Sequence, residues 1–227
     1  MKKRLILAFI IMFAATVAQA QQIRGFLSAG GTLSQIEGDE LRGFDNIGWS
    51  AGVGAVTNID QYGNWLFATE IIYTRRGVFN NTSNESNFKY NIYLPLDYID
   101  IPLTFFYRDP IGKMMFGVGP VYGRLVQQPH EVLYYKNTFL PDTTDMAFLK
   151  NDFAIAAECR FKVWKWLELS VRWQYSVLPV KKDWTFYERT NAYKTKSWDN
   201  NCYNNSITFR VICQFGNEPA YKQRRHK

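Results

Sequence analysis

In "CRFKVWKWLELSVRWQYS" (residues 159–176), Arg160, Lys162, Glu168, Arg172 and Gln174 fall on even numbers, whereas Phe161, Val163, Leu167, Leu169, Val171, Trp173 and Tyr175 fall on odd ones. Successive side chains of a strand point to opposite faces, so the stretch predicts two strands, each with an apolar and a charged face. Keeping odd residues on one face through the hairpin requires an odd loop. Trp164-Lys165-Trp166 supplies three residues, pairing Val163 with Leu167 and Phe161 with Leu169. In a water-soluble barrel the apolar face would be the core. In an outer-membrane barrel it meets lipid and the charges line the lumen. Alternation alone does not choose between the two.

The ends of the chain bear on the choice. Lys2, Lys3 and Arg4 precede an apolar run, Leu5 to Val17, and a small-x-small site, Ala18-Gln19-Ala20. This pattern predicts a secretory signal peptide over residues 1–20. The run is shorter than the roughly 18 apolar residues that span a bilayer. The expected division is then signal peptide 1–20, one outer-membrane β-barrel domain 21–216 and a basic periplasmic tail 217–227. Of the formal charge of +7, three charges belong to the leader and a further three, net, to the tail "GNEPAYKQRRHK". The body is close to neutral and carries no basic stripe, so nucleic acid is not an expected partner. Cys159 and Cys213 belong to strands separated by a third, roughly 9–10 Å apart at ordinary strand spacing. A disulfide needs Cα atoms within roughly 7 Å, so free thiols are expected.

Strand-like segments recur at 23–34, 48–58, 64–76, 93–107, 113–125, 152–163, 167–178 and 204–215, and no helical period is sustained. Short connections ("IDQYG", "RDPIG", "WKW") alternate strictly with long ones ("QIEGDELRGFDNI", "GVFNNTSNESNFKYNI", 126–151 and 179–203). The fold class this predicts is all-β: an eight-stranded antiparallel up-and-down transmembrane β-barrel with short periplasmic turns and long extracellular loops. A lipocalin-like soluble lipid carrier, the same barrel turned inside out, has no reason to segregate its loops in this way.

Opposite the apolar faces lie Glu70, Asp100, Glu158, Arg160, Arg172 and Arg210, while three other strands offer Ser28, Gly30, Gly52, Gly54, Gly117 and Gly119. An eight-stranded lumen is just wide enough to be filled by side chains, so long charged residues need small ones facing them. Buried charges must also be paired, which casts Glu70, Asp100 and Glu158 as partners for Arg172 and Arg210 in a polar, plugged lumen. Trp65, Trp164, Trp166, Trp173 and Phe215 are expected at the membrane–water boundary, where aromatic side chains gather. Pro102 is expected to mark a kink or a strand end.

Enzymatic chemistry lacks its ligands. There is no HExxH, CxxC or phosphate-binding glycine loop, so no catalytic residue, metal or cofactor is expected. His130 with Ser176 or Ser206 would be the material for a hydrolase, but nothing in the sequence brings them together.

"SAGGTLSQIEGDELRGFDNIGWSAGVGA", "EIIYTRRG", "YIDIPLTFFY" and "FGVGPVYGRL", in that order over about residues 25–125, resemble the PorT-like outer-membrane β-barrel proteins of Bacteroidetes. The resemblance implies a Gram-negative outer-membrane location, and it makes Phe215 similar to the terminal aromatic that barrel-assembly machinery recognises. It also implies, by analogy with the founding member, an accessory role in protein secretion of the type IX kind. The residues themselves favour a non-enzymatic, monomeric barrel acting through its extracellular loops as a structural or interaction module. Its expected contacts are outer-membrane lipid and lipopolysaccharide, and envelope or secretion proteins. The aromatic, cationic stretch 179–203 is the foremost candidate surface.

Overall fold

The computed structural model describes residues 23–39, 43–81, 91–109, 113–127, 139–141, 147–191 and 194–216. The expected leader and tail, and His130, lie outside the described residues. Ten strands follow in order: β1 (Arg24–Glu37), β2 (Asn46–Asn58), β3 (Trp65–Asn81), β4 (Asn91–Arg108), β5 (Met114–Gln127), β6 (Phe139–Pro141), β7 (Asn151–Lys162), β8 (Leu167–Ser176), β9 (Lys181–Asn191) and β10 (Lys194–Phe215). Eight of them, β1–β5, β7, β8 and β10, pair antiparallel in that order, and β1 closes on β10 from Gly25–Phe215 to Glu37–Tyr203. Closure leaves the barrel no open edge.

The opening hairpin has the predicted register. Phe161 lies opposite Leu169 and Glu158 opposite Arg172, and the Val163 amide donates to the Leu167 carbonyl at 2.9 Å. The short connections gather at one end of the barrel and the long ones at the other. Local chemistry sets the turns. Between β2 and β3, Asp60 accepts the Trp65 amide at 2.9 Å while Gly63 takes φ +74°, a conformation that glycine adopts without a Cβ penalty.

Two expectations are corrected. The stretch 179–203 is a β-hairpin, with β9 pairing with the first half of β10 from Lys194–Asn191 to Cys202–Lys181. β6, from within 126–151, adds to β9 over Phe139–Pro141. Neither arm of the hairpin alternates apolar with polar, which hid it from a reading by periodicity, although Thr, Tyr, Phe and Trp there favour extended backbone. Of the kink or strand end expected at Pro102, the strand end is the part corrected. Pro102 lies inside β4 opposite Val121, and the β3–β4 pairing is interrupted beside it, between Thr69–Leu103 and Ile72–Asp100.

The parity of the opening stretch resolves as apolar outside and charged inside. Ile71, Phe105, Val118, Leu169, Val171, Phe209 and Val211 are exposed, whereas Glu70, Asp100, Glu158, Arg160, Arg172 and Arg210 are each buried to 3 % exposure or less. A continuous apolar exterior of this kind is the surface of a membrane-spanning barrel and corrects the inside-out soluble alternative. Lumen glycines make the room for the charges. A Cβ on Gly54 would lie 2.6 Å from the Glu70 Cβ and collide with the Phe26 ring, and one on Gly123 would lie 2.7 Å from Asp100 Oδ1. Gly31, in the same sheet, has nothing within 4 Å of that position. Gly54→Val is therefore expected to abolish the compact, heat-modifiable band of the refolded protein on cold gels, and Gly31→Ala to retain it.

Candidate functional site

The interior is layered along the barrel axis. At the turn end, Phe26, Val56, Leu66, Ala68, Phe106, Met115 and Ile212 form an apolar cluster. The Arg160 guanidinium rests on it, 4.4 Å from the Phe106 ring centre and 5.1 Å from that of Phe26, a cation–π arrangement from two sides. Arg160 Nε donates to Glu158 at 2.6 Å, and Glu168 lies 3.9 Å from its other end.

Next comes an ionic knot that crosses the bore. Glu158 accepts from Arg172 Nε at 2.8 Å and from Arg210 at 2.6 Å. Glu70, from the opposite wall, accepts from Arg210 at 2.8 Å and is also paired with Arg172. Ser170 and Ser28 donate to Glu158 and Glu70 at 2.7 Å and 3.2 Å. Every carboxylate of the knot is held by at least two donors, which is the condition for keeping charges out of water.

Asp100 departs from its expected partners. It pairs with Arg76, at 2.5 Å to Oδ1, and Arg76 also lies 3.4 Å from Asp152. Ser176 and Asn204 donate to Asp152 at 2.7 Å and 3.0 Å, and the Arg76 guanidinium stacks 4.5 Å above Tyr98. Arg76 and Asp152 were not among the expected site residues. Parity could have found Arg76, since it shares the even face of β3 with Glu70. Between the two ionic groups is a cavity of about 10 Å³, space for about one water, lined by Ser50, Thr74, Gln174, Ser206 and Thr208 among others. Beyond Arg76, toward the loop end, lies a second apolar cluster that includes Ile36, Leu94, Leu96, Phe148, Val180, Trp184 and Cys202.

On the outside, four of the expected aromatics lie at the turn end and one toward the loop end. Trp65, Trp164, Trp166 and Phe215, each about half exposed, sit at the turn end, where Trp65 packs on Tyr107 and Trp164 on Trp166, with ring centres 5.2 Å and 6.2 Å apart. Trp173 belongs to the opposite end, in a near-parallel series with Tyr175 and Tyr203 at 6.1 Å and 6.2 Å. Here the outer wall turns polar. The Tyr175 hydroxyl donates to Glu37 at 2.9 Å, as does Asn205 at 2.8 Å, and Trp173 Nε1 donates to Asn205 at 3.0 Å.

No family model and no curated protein matches the chain. Solved structures that do match include Neisserial surface protein A, at 11 % identity over 84 % of this chain and 97 % of that one, with a TM-score of 0.43. Ail, the attachment invasion locus protein of Yersinia pestis, in complex with the heparin analogue sucrose octasulfate, matches at 12 % identity over 86 % and 99 %, with a TM-score of 0.45. The outer membrane protein AlkL matches at 14 % identity over 88 % and 94 %, with a TM-score of 0.37. The barrel itself is defined by its own strand closure, from β1 round to β10.

The knot and the thiols each lead to a measurement. Arg172→Met strips a shared cation from two buried carboxylates and is expected to destabilise the barrel by about 3–5 kcal/mol. Urea unfolding in phospholipid vesicles reads this, and a second change, Glu158→Gln, is expected to recover part of it. Cys202 lies at the loop end, outside the lipid-facing span, and burial pushes its thiol up to about 12, with Asp39 adding to the effect. In a variant retaining only that cysteine, a water-soluble maleimide at pH 8 is expected to label the unfolded chain and to leave the folded one unlabelled.

Proposed function

We propose that this chain is a non-enzymatic outer-membrane barrel whose role is carried by its loop-end surface, as a structural or interaction module, and not by passage through its bore. The observation that carries the reading is the Glu70–Arg172–Glu158–Arg210 knot across the lumen, closed off at either end by apolar side chains. An ion entering this bore would have to displace paired charges in a medium of low dielectric. The long connections and the β9–β10 hairpin face the cell exterior and the tight turns face the periplasm, after removal of the 1–20 leader. The five boundary aromatics anchor the two rims in the interfacial layer. Lipopolysaccharide and surface partners meet the hairpin stretch 179–203, whose aromatic and cationic composition suits such contacts.

A second reading follows from the PorT-like sequence stretches: membership of that Bacteroidetes family and an accessory role in type IX-like secretion. Its support is the ordered set of motifs between residues 25 and 125.

Planar bilayers test the first reading. The reconstituted protein is expected to give no stepwise conductance, and stable unitary steps would contradict the closed bore. Deleting the gene separates the two roles. Secreted proteins trapped in the periplasm would favour the accessory role, whereas normal secretion with altered surface binding is the outcome expected of a loop-based module.

A further inference from the structure

Between the ionic knot and the Arg76 group the inward positions change character. Ser50 and Thr74 face each other across the β2–β3 ladder, and Gln174 and Ser206 across the β8–β10 ladder; all four are uncharged, polar and buried. They line the cavity of about 10 Å³ together with Arg172, Arg210 and Asp100 from the two ionic groups. Three polar atoms of this lining, Ser50 Oγ, Gln174 Nε2 and Arg210 Nε, are buried and, among the described residues, have no hydrogen-bond partner. Such atoms are rare in native interiors, because a polar group taken out of water costs free energy unless a partner replaces the water. An arginine Nε and an amide Nε2 only donate, whereas a serine hydroxyl both donates and accepts. Whatever satisfies this set must therefore accept from two N–H groups and can donate to the hydroxyl.

We infer that one water molecule is bound in this cavity as a fixed part of the barrel, accepting from Arg210 Nε and Gln174 Nε2 and donating to Ser50 Oγ. Size and charge select the occupant. The space admits about one water and nothing larger. Its charged walls are already neutralised, Arg172 and Arg210 by Glu70 and Glu158, and Asp100 by Arg76. An anion here would carry an uncompensated charge into the lumen, and a cation would face two N–H donors. Water fills the set without adding charge, and it makes about three bonds, the number typical of an internal water. It also ties strands that no ladder joins. β2 pairs with β1 and β3, yet the water connects it to β8 and β10 across the bore. Such a water belongs to the interior and is independent of the role proposed for the loop end.

The test is a crystal structure of the full barrel refolded in detergent, grown with bromide as the halide. It is expected to show one density peak in the cavity, within hydrogen-bond distance of Ser50, Gln174 and Arg210 and without anomalous signal at the bromine absorption edge. An empty cavity would overturn the inference, as would an anomalous peak, which would put an anion in place of the water. Oxygen-17 relaxation dispersion of the solvent, which counts waters held inside a protein, is read on the same barrel in micelles. The wild type is expected to hold one long-lived water more than Ser50→Val, whose added methyl groups take up the space and whose hydroxyl is gone. Equal counts would contradict the assignment. The two proteins are compared at equal folded fraction on cold gels, and the wild-type crystal decides the matter if the variant does not refold.

Discussion

Arg172 is held between two carboxylates that reach it from separate walls of the barrel, Glu158 on the neighbouring strand and Glu70 across the bore. That contact constrains everything around it. A charge inside an eight-stranded tube has neither bulk water nor headgroups within reach, so its partners must come from the strands themselves. The strand period is two, and a slip of one residue in β3, β7, β8 or β10 would turn a charge of the knot out into lipid and an apolar side chain into the lumen. The ionic knot and the apolar exterior are thus two consequences of one register. The small residues follow from it as well, because Glu70 and Phe26 occupy the space that a side chain on Gly54 would need.

Much of this was legible in the sequence, and the reason is the sharp alternation at the carboxyl-terminal hairpin. Odd and even positions of 159–176 separate lipid from lumen, and the three-residue turn preserves the parity across both strands. The alternation of short and long connections gave the strand count that closes the barrel. Pairing within the lumen was less legible. Neighbours on one face of one hairpin, such as Glu158 and Arg172, can be read from sequence, but Asp100 meets Arg76 only through the β3–β4 register and Asp152 through the closure of the barrel. The loop-end hairpin was missed because its two arms show no periodicity for burial to exploit. Backbone pairing with β10, extended past the membrane boundary, is what holds it.

The layered interior shifts the question of function outward. Buried apolar clusters lie toward both ends of the interior, and the space between the two ionic groups holds little more than a water molecule. Eight strands close the barrel, and the β9–β10 hairpin extends from its loop end. Loops carried by a rigid scaffold are where recognition is ordinarily found.

Spin labels placed one at a time at Ser170, Val171, Thr208 and Phe209 in the reconstituted protein test the orientation of the hairpin most directly. Labels at Val171 and Phe209 should relax strongly with oxygen and weakly with a water-soluble nickel chelate, and those at Ser170 and Thr208 should be immobilised and reached by neither. A label at Val171 or Phe209 that collides freely with the chelate would put water where this structure requires lipid. The ionic lumen would then no longer follow from the fold.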